Sequence, residues 1–284
     1  GDTYYIRVNV GSASLGNSTD GYTRYRYQLK ASFGTENYEL EGNNSFSSAQ
    51  TISAGSWYIG QWSGYYTEYY DNYANDYYKV TATANTMTVS LQHGTANDSS
   101  SDFYVYLYNS SESQIDSFSA YNGVDNSIEF WVTSGQTYYI YVGGQTSSYS
   151  GQYKLKTSFS TTSGNLELES NDSTSTAQTI TEDTTYTGER NGSSDSYDYY
   201  KITAPTGKTT MTVLLSHVTA NASGSDYSAD VYHGNIVASI SALNGLSDNQ
   251  TFGVVAGDTY YILVNNSASL GGSTDGYTRY RYQL

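Results

Sequence analysis

The chain has 284 residues, enough for two domains of ordinary size, each with its own core. Its 27 acidic against 12 basic residues give a net charge of -15, which repels a phosphate backbone or an anionic membrane surface and argues against a nucleic-acid partner. There is no cysteine, which removes disulfides, thiolate nucleophiles and sulfur metal sites together, and no apolar run approaches the ~20 residues of a membrane-spanning helix, so membrane insertion is not expected.

The predicted elements are strands throughout. The chain opens on "GDTYYIRVNV" and reaches "YRYQL" at Tyr25; both alternate with a period of two. A turn-rich acidic stretch, "ELEGNNSFSSAQTI" from Glu39, is followed by "NDYYKV" from Asn75 and "TMTVSL" from Thr86. Next come "DFYVYLYN" from Asp102, "IEFWV" from Ile128 and "GQTYYIYV" from Gly135. In "DFYVYLYN" the period places Phe103, Val105 and Leu107 on a core face and Tyr104, Tyr106 and Tyr108 on an aromatic one. Clusters of Ser, Gly, Asn and Asp separate these runs, and no amphipathic helix of useful length interrupts them. The fold class is all-β.

The second half repeats the first. "ELESNDSTSTAQTI" from Glu167, "YDYYKI" from Tyr197, "TMTVLL" from Thr210 and "GDTYYILV" from Gly257 return in the same order, after a "TTSGN" linker around Ser163. This defines a β-sandwich domain A over 34–160 and a domain B over 161–284, each of normal domain size. Residues 1–33 match neither beginning. Gly1–Leu29 shares 25 of 28 aligned positions with Gly257–Leu284, so 1–33 reads as the C-terminal strands of a preceding B-type domain. On that reading the chain is a window on a longer...B-A-B... array, whose torn sandwich is completed by the same polypeptide or by a neighbouring copy.

The order E-x-E-x-N, A-Q-T-I, D-Y-Y-K, G-D-T-Y-Y-I and Y-x-L resembles the bacterial pre-peptidase C-terminal domain, including the related collagen-binding domains of secreted clostridial collagenases. The resemblance implies tandem jelly-roll-like β-sandwiches that are secreted, non-catalytic and often calcium-binding. Carried over residue by residue, it implies Ca²⁺ ligands in B at Glu167, Glu169, Asn171, Asp172, Asp195 and Asp198. Glu167 and Glu169 lie two apart, on one face of an extended segment, and hard oxygen donors suit Ca²⁺. The counterparts in A are Glu39, Glu41, Asn43, Asn44 and Asp76; here Asn44 stands in the place of Asp172 and Tyr73 in the place of Asp195, so the set is poorer in carboxylates unless a loop rearrangement brings in Asp71.

Catalytic patterns are missing from the sequence: no H-E-x-x-H, no G-x-S-x-G and no P-loop occur. His93 and His217 fall at equivalent strand ends, which fits a shared structural role. The protein is therefore read as not an enzyme. Tyrosine rows offer broad amphipathic surface for packing subunits or stacking on sugar rings. Nine N-x-Ser/Thr sequons, among them Asn43 and Asn171 of the acidic motifs, are glycan acceptors in an extracellular chain. The leading expectation is a structural repeat of an extracellular fibre, stalk or cell-surface assembly, with copies of itself as partners in a head-to-tail array. The alternative is an accessory module that binds polysaccharide or fibrous protein for a secreted hydrolase or adhesin.

Overall fold

The computed structural model describes residues 5–7, 28–31, 34–63, 75–93, 103–120, 123–144, 150–190, 197–217, 227–243, 246–266 and 280–284. The chain separates into two compact units, Gly1–Thr35 and Glu36–Leu284, and all twenty strands described lie in the second. Most of 1–33 lies outside the described residues, as do the dense "GYYTEYYDNY" stretch from Gly64 and Asp195.

Ten strands fall in each half. The first ten are β1 (Asn37–Tyr38), β2 (Gln50–Thr51), β3 (Tyr58–Ser63), β4 (Asp76–Thr81), β5 (Thr86–His93), β6 (Phe103–Tyr108), β7 (Gln114–Ala120), β8 (Asn126–Trp131), β9 (Thr137–Gly144) and β10 (Ser150–Ser160). Their counterparts are β11 (Asn165–Leu166), β12 (Gln178–Thr179), β13 (Tyr186–Arg190), β14 (Asp198–Thr203), β15 (Thr210–His217), β16 (Tyr227–His233), β17 (Asn235–Ala242), β18 (Asp248–Gly253), β19 (Thr259–Asn266) and β20 (Tyr280–Gln283).

The pairing has a simple logic. In the first half β3 pairs with β10, β4 with β9, β5 with β8 and β6 with β7, all antiparallel, so the chain is one long hairpin whose tip is the β6–β7 turn. The hairpin is rolled up: β10 also meets β5, and β9 meets β6. Two five-stranded sheets result, β1-β3-β10-β5-β8 and β2-β4-β9-β6-β7, with β1 and β2 as short parallel additions. A long hairpin wrapped into two facing sheets is the jelly roll. The second half repeats it, with sheets β11-β13-β20-β15-β18 and β12-β14-β19-β16-β17.

Each sandwich fills its interior from inward-facing alternate residues, such as Met87, Val89 and Leu91 on β5 and Ala229 and Val231 on β16. Phe103, Val105 and Leu107 point inward, as their period predicts. Phe130 is buried and its neighbour Trp131 faces out. The tyrosines divide. Tyr78, Tyr153, Tyr200, Tyr227, Tyr260 and Tyr282 are among the largest fully buried side chains. A buried phenol needs a partner for its hydroxyl. Tyr138 and Tyr260 find theirs five residues upstream, accepting the N–H of Thr133 at 2.8 Å and of Val255 at 2.9 Å. This accounts for the G-x-T-Y-Y-I repeat: Gly135 (φ +86) and Gly257 (φ +89) make a left-handed turn, and the first tyrosine of each run pins it.

Arg281 on β20 joins the two sandwiches. Its Nε donates to Glu189 at 2.8 Å, its Nη2 lies 3.7 Å from Glu129 on β8, and its guanidinium sits 5.1 Å from the centre of the Trp131 ring.

The register makes a sharp prediction at two neighbouring leucines. Leu215 is fully buried, whereas Leu214 is 51% exposed on the opposite face of β15. Leu215→Ala is expected to cost about 2–5 kcal/mol in denaturant unfolding and Leu214→Ala close to nothing; equal losses would contradict the register.

Candidate functional site

At one end of each core, two carboxylates approach a pair of buried tyrosines contributed by facing sheets. In A, Tyr78 on β4 and Tyr153 on β10 bring their hydroxyl oxygens to 2.7 Å. Tyr78 donates to Glu39 Oε2 at 2.7 Å, and Tyr153 Oη lies 2.6 Å from Asp76 Oδ2. Glu39 Oε1 also accepts the Gln61 N–H at 3.0 Å. In B the same positions repeat. Tyr200 and Tyr282 meet at 2.6 Å, Tyr200 donates to Glu167 Oε1 at 3.0 Å, and Tyr282 donates to Asp198 Oδ2 at 2.7 Å. The Glu189 N–H donates to Glu167 Oε2 at 2.7 Å.

Glycine makes room for these rings. A Cβ on Gly60 would collide with the Tyr153 ring, and one on Gly188 with that of Tyr282. Each glycine sits directly beside its tyrosine on the neighbouring strand, Gly60 facing Tyr153 and Gly188 facing Tyr282.

Burial shapes the electrostatics. Asp76 is fully buried and its carboxyl pKa is pushed up to about 9, first by desolvation and then by the charge of Glu39. Glu41, exposed in the same acidic stretch, is also raised, by partial desolvation and by Glu39. The hydroxyls of Tyr78, Tyr153, Tyr200 and Tyr282 are all held above the usual phenol range by burial. In A three short contacts join Glu39, Tyr78, Tyr153 and Asp76, but two hydroxyls supply only two protons. A third proton, on the Asp76 carboxyl, completes the chain in the absence of a cation.

The donor set of the second sandwich fits a hard divalent cation. In B, Glu167, Glu169 and Asp198 offer oxygens that all lie within 4.8 Å of one another, the one such group among the described residues. Asn171 is fully buried; its Nδ2 donates to Glu167 at 2.8 Å, and its Oδ1 has no hydrogen-bond partner. In A, Asn43 is likewise buried with neither amide atom bonded, and Asn44 Oδ1 and Asp76 Oδ1 are also without partners. Oxygens buried without donors, beside clustered carboxylates, are what a cation of the Ca²⁺ type requires. Asp172 is exposed at the rim of B, and Asp195, Tyr73 and Asp71 lie outside the described residues. The tyrosine pairs are the functional residues that motif reading missed. Their signal was present: the second tyrosine of D-Y-Y-K and the tyrosine of Y-x-L recur in both halves.

A second surface distinguishes the sandwiches. On the outer face of the β2-β4-β9-β6-β7 sheet, Tyr77, Tyr141 and Tyr106 form one row across three strands, with Tyr139 and Tyr108 beside each other in the next. Phe46 packs edge-on against Tyr77, Tyr108 and Tyr139 with ring centres 4.8–5.3 Å apart. Burial among these rings pushes the Tyr141 hydroxyl up to about 12. On B the corresponding row is Tyr199, Leu263 and Asp230, the next row keeps Tyr261 and Tyr232, and Thr174 stands in the place of Phe46.

No protein-family model and no curated protein matches the sequence. Solved structures with a detectable likeness include the M60 catalytic domain with the CBM51-1 and CBM51-2 domains from Clostridium perfringens ZmpB: 9% identity, 74% of this chain, 33% of that one, TM-score 0.22. The CBM22-1-CBM22-2 tandem domain of Paenibacillus barcinonensis Xyn10C shares 7% identity over 81% of this chain and 90% of its own, with a TM-score of 0.21. An archaeal virus protein with a triple jelly-roll fold shares 8% over 74% and 54%, with a TM-score of 0.22. The chain thus spans about a third of the first of these, and likenesses at this level carry no functional assignment.

The raised Asp76 pKa has a definite sign. The unfolded carboxyl titrates near 3.8 and the folded one near 9, so the folded state holds a proton that the unfolded state has released across that interval. In chelator, stability should therefore fall as pH rises from about 4 to about 9, and Asp76→Asn should flatten the slope. Parallel unfolding-versus-pH curves for wild type and variant would contradict it.

Proposed function

We propose that the protein is a non-catalytic, extracellular pair of jelly-roll modules of the pre-peptidase C-terminal type. Each holds one calcium ion in its buried carboxylate site, and the first binds polysaccharide through its tyrosine face. The observation that carries the binding assignment is the contrast between two otherwise matching sandwiches. Six rings cover the outer sheet of A; B keeps three of them, as Tyr199, Tyr232 and Tyr261, and presents Leu263, Asp230 and Thr174 in place of Tyr141, Tyr106 and Phe46. Core packing does not explain this difference, because both sandwiches fill their interiors from the opposite faces of these strands. Aromatic rings with hydroxyl tips suit the apolar faces and polar edges of pyranose rings. The net charge of -15 disfavours polyanions, so the ligand class is a neutral polysaccharide.

Calcium serves stability in this account. Its ligands are Glu39, Asn43, Asn44 and Asp76, with Glu41 beside them, in A, and Glu167, Glu169, Asn171 and Asp198 in B. With an affinity of about 0.1 mM and about 1 mM free calcium outside cells, each ion would contribute roughly 1.4 kcal/mol.

A second reading, a repeating unit of an extracellular fibre, is favoured by a separate observation: the 25 identities in 28 positions between Gly1–Leu29 and Gly257–Leu284. The two readings are compatible, since an array of modules presents a binding face at each repeat.

Affinity electrophoresis through gels containing soluble neutral glucans, xylans or mannans tests the binding assignment. At least one polysaccharide should retard the protein. The pair Tyr106→Ala and Tyr141→Ala should weaken retention about tenfold or more, and Tyr199→Ala on B should leave it unchanged. Indifference to all these polymers would overturn the assignment.

A further inference from the structure

The tyrosine face of A runs down to the junction between the two sandwiches. Tyr108, the last residue of β6, leads into the β6–β7 turn, where Asn109 Oδ1 accepts the N–H groups of Ser111 at 2.9 Å and Ser113 at 3.1 Å. The Tyr77 hydroxyl is raised above the usual phenol range, first by burial and then by the charge of Glu112, so this turn lies close beside the aromatic rows. Facing the turn are residues of the acidic stretch and of β12 in B, and a cleft of about 650 Å³ opens between them. Its walls include Asn109, Ser111 and Ser113 from A and Glu169, Ser170 and Thr179 from B.

Fixed parts hold this cleft open. The linker residue Thr162 is clamped to A: its N–H donates to Asn85 Oδ1 at 2.8 Å, its carbonyl accepts from Asn85 Nδ2 at 2.7 Å, and its hydroxyl lies 2.8 Å from that of Thr86. Strand β11 of B begins at Asn165, so only Ser163 and Gly164 separate the two anchored backbones. Arg281 spans the same two modules, from Glu189 of B to Glu129 and Trp131 of A. On the B wall Gln178 is engaged within its own module, accepting the Leu168 N–H at 2.9 Å and donating to Leu166 O at 3.0 Å. The side-chain hydroxyls of Ser111, Ser113, Ser170 and Thr179, by contrast, take no partner among the described residues. A preformed cleft with unengaged hydroxyls, an amide and a carboxylate suits a ligand rich in hydroxyl groups. Its described lining contains no Lys or Arg, which disfavours an anionic one.

We infer that the cleft continues the binding face: one stretch of a neutral polysaccharide lies on the tyrosines of A, and the next enters the cleft and meets B. This rests on the polysaccharide reading of the tyrosine face and adds to it a second subsite and a length requirement. Tyr106 and Tyr108 are two residues apart on β6, about 7 Å, and the turn follows at once, so the rows and the cleft form one track. A ligand long enough to fill both parts gains the second contact intramolecularly.

Isothermal titration of the full chain with cello-, xylo- and manno-oligosaccharides of two and six units tests the track. In the series that binds, the hexasaccharide should bind about tenfold or more tightly than the disaccharide. Ser113→Leu combined with Thr179→Leu, which crowds the cleft and leaves the tyrosines alone, should abolish that gain without changing the disaccharide affinity. Tyr106→Ala with Tyr141→Ala should weaken both lengths. Independently of any variant, a hexasaccharide carrying a photoreactive group at each end should label peptides from 109–113 or 168–179 as well as the tyrosine strands. A hexasaccharide no tighter than the disaccharide, a gain that survives the double leucine variant, or labels confined to the tyrosine strands would each overturn the track while leaving the tyrosine face as a binding site. Failure of every series at both lengths would overturn the two together.

Discussion

Burying carboxylates at the end of an apolar sandwich, Asp76 in A and Glu167 with Asp198 in B, is the constraint on which the rest of this structure turns. A buried carboxylate is costly unless hydrogen-bonded and compensated by positive charge. Here hydrogen bonds come from phenols, Tyr78 with Tyr153 and Tyr200 with Tyr282, each pair spanning the two sheets. Compensation comes from a proton on Asp76 or from a cation that takes its place. Because one tyrosine of each pair stands on β4 or β14 and the other on β10 or β20, the site ties the first strands of each jelly roll to the last.

The two halves keep that constraint and differ elsewhere. Both retain the acidic stretch, the tyrosine pair and the glycine that admits the ring. What diverges is the outer sheet face, aromatic on A and mixed on B. Selection of surface with conservation of a buried scaffold is how one fold hosts several functions. In this protein Arg281 bridges the two modules.

Strand periods and the internal repeat made the all-β class legible, and the order of motifs pointed to the acidic residues. Glu167, Glu169 and Asp198 come together from stretches about thirty residues apart. The role of tyrosine was only half legible. In "DYYK" and "TYYI" both neighbours are tyrosine, so alternation cannot say which one turns inward; the structure turns in Tyr78 and Tyr138 and leaves Tyr77 and Tyr139 half-exposed.

The account stands on the claim that the buried tyrosine–carboxylate sites are cation sites. Anomalous diffraction from crystals of the chain grown with calcium measures this directly. The account predicts two peaks, one among Glu167, Glu169, Asn171 and Asp198 and one among Glu39, Asn43 and Asp76. Ordered density for these side chains with no anomalous signal at either place, at millimolar calcium, would contradict it.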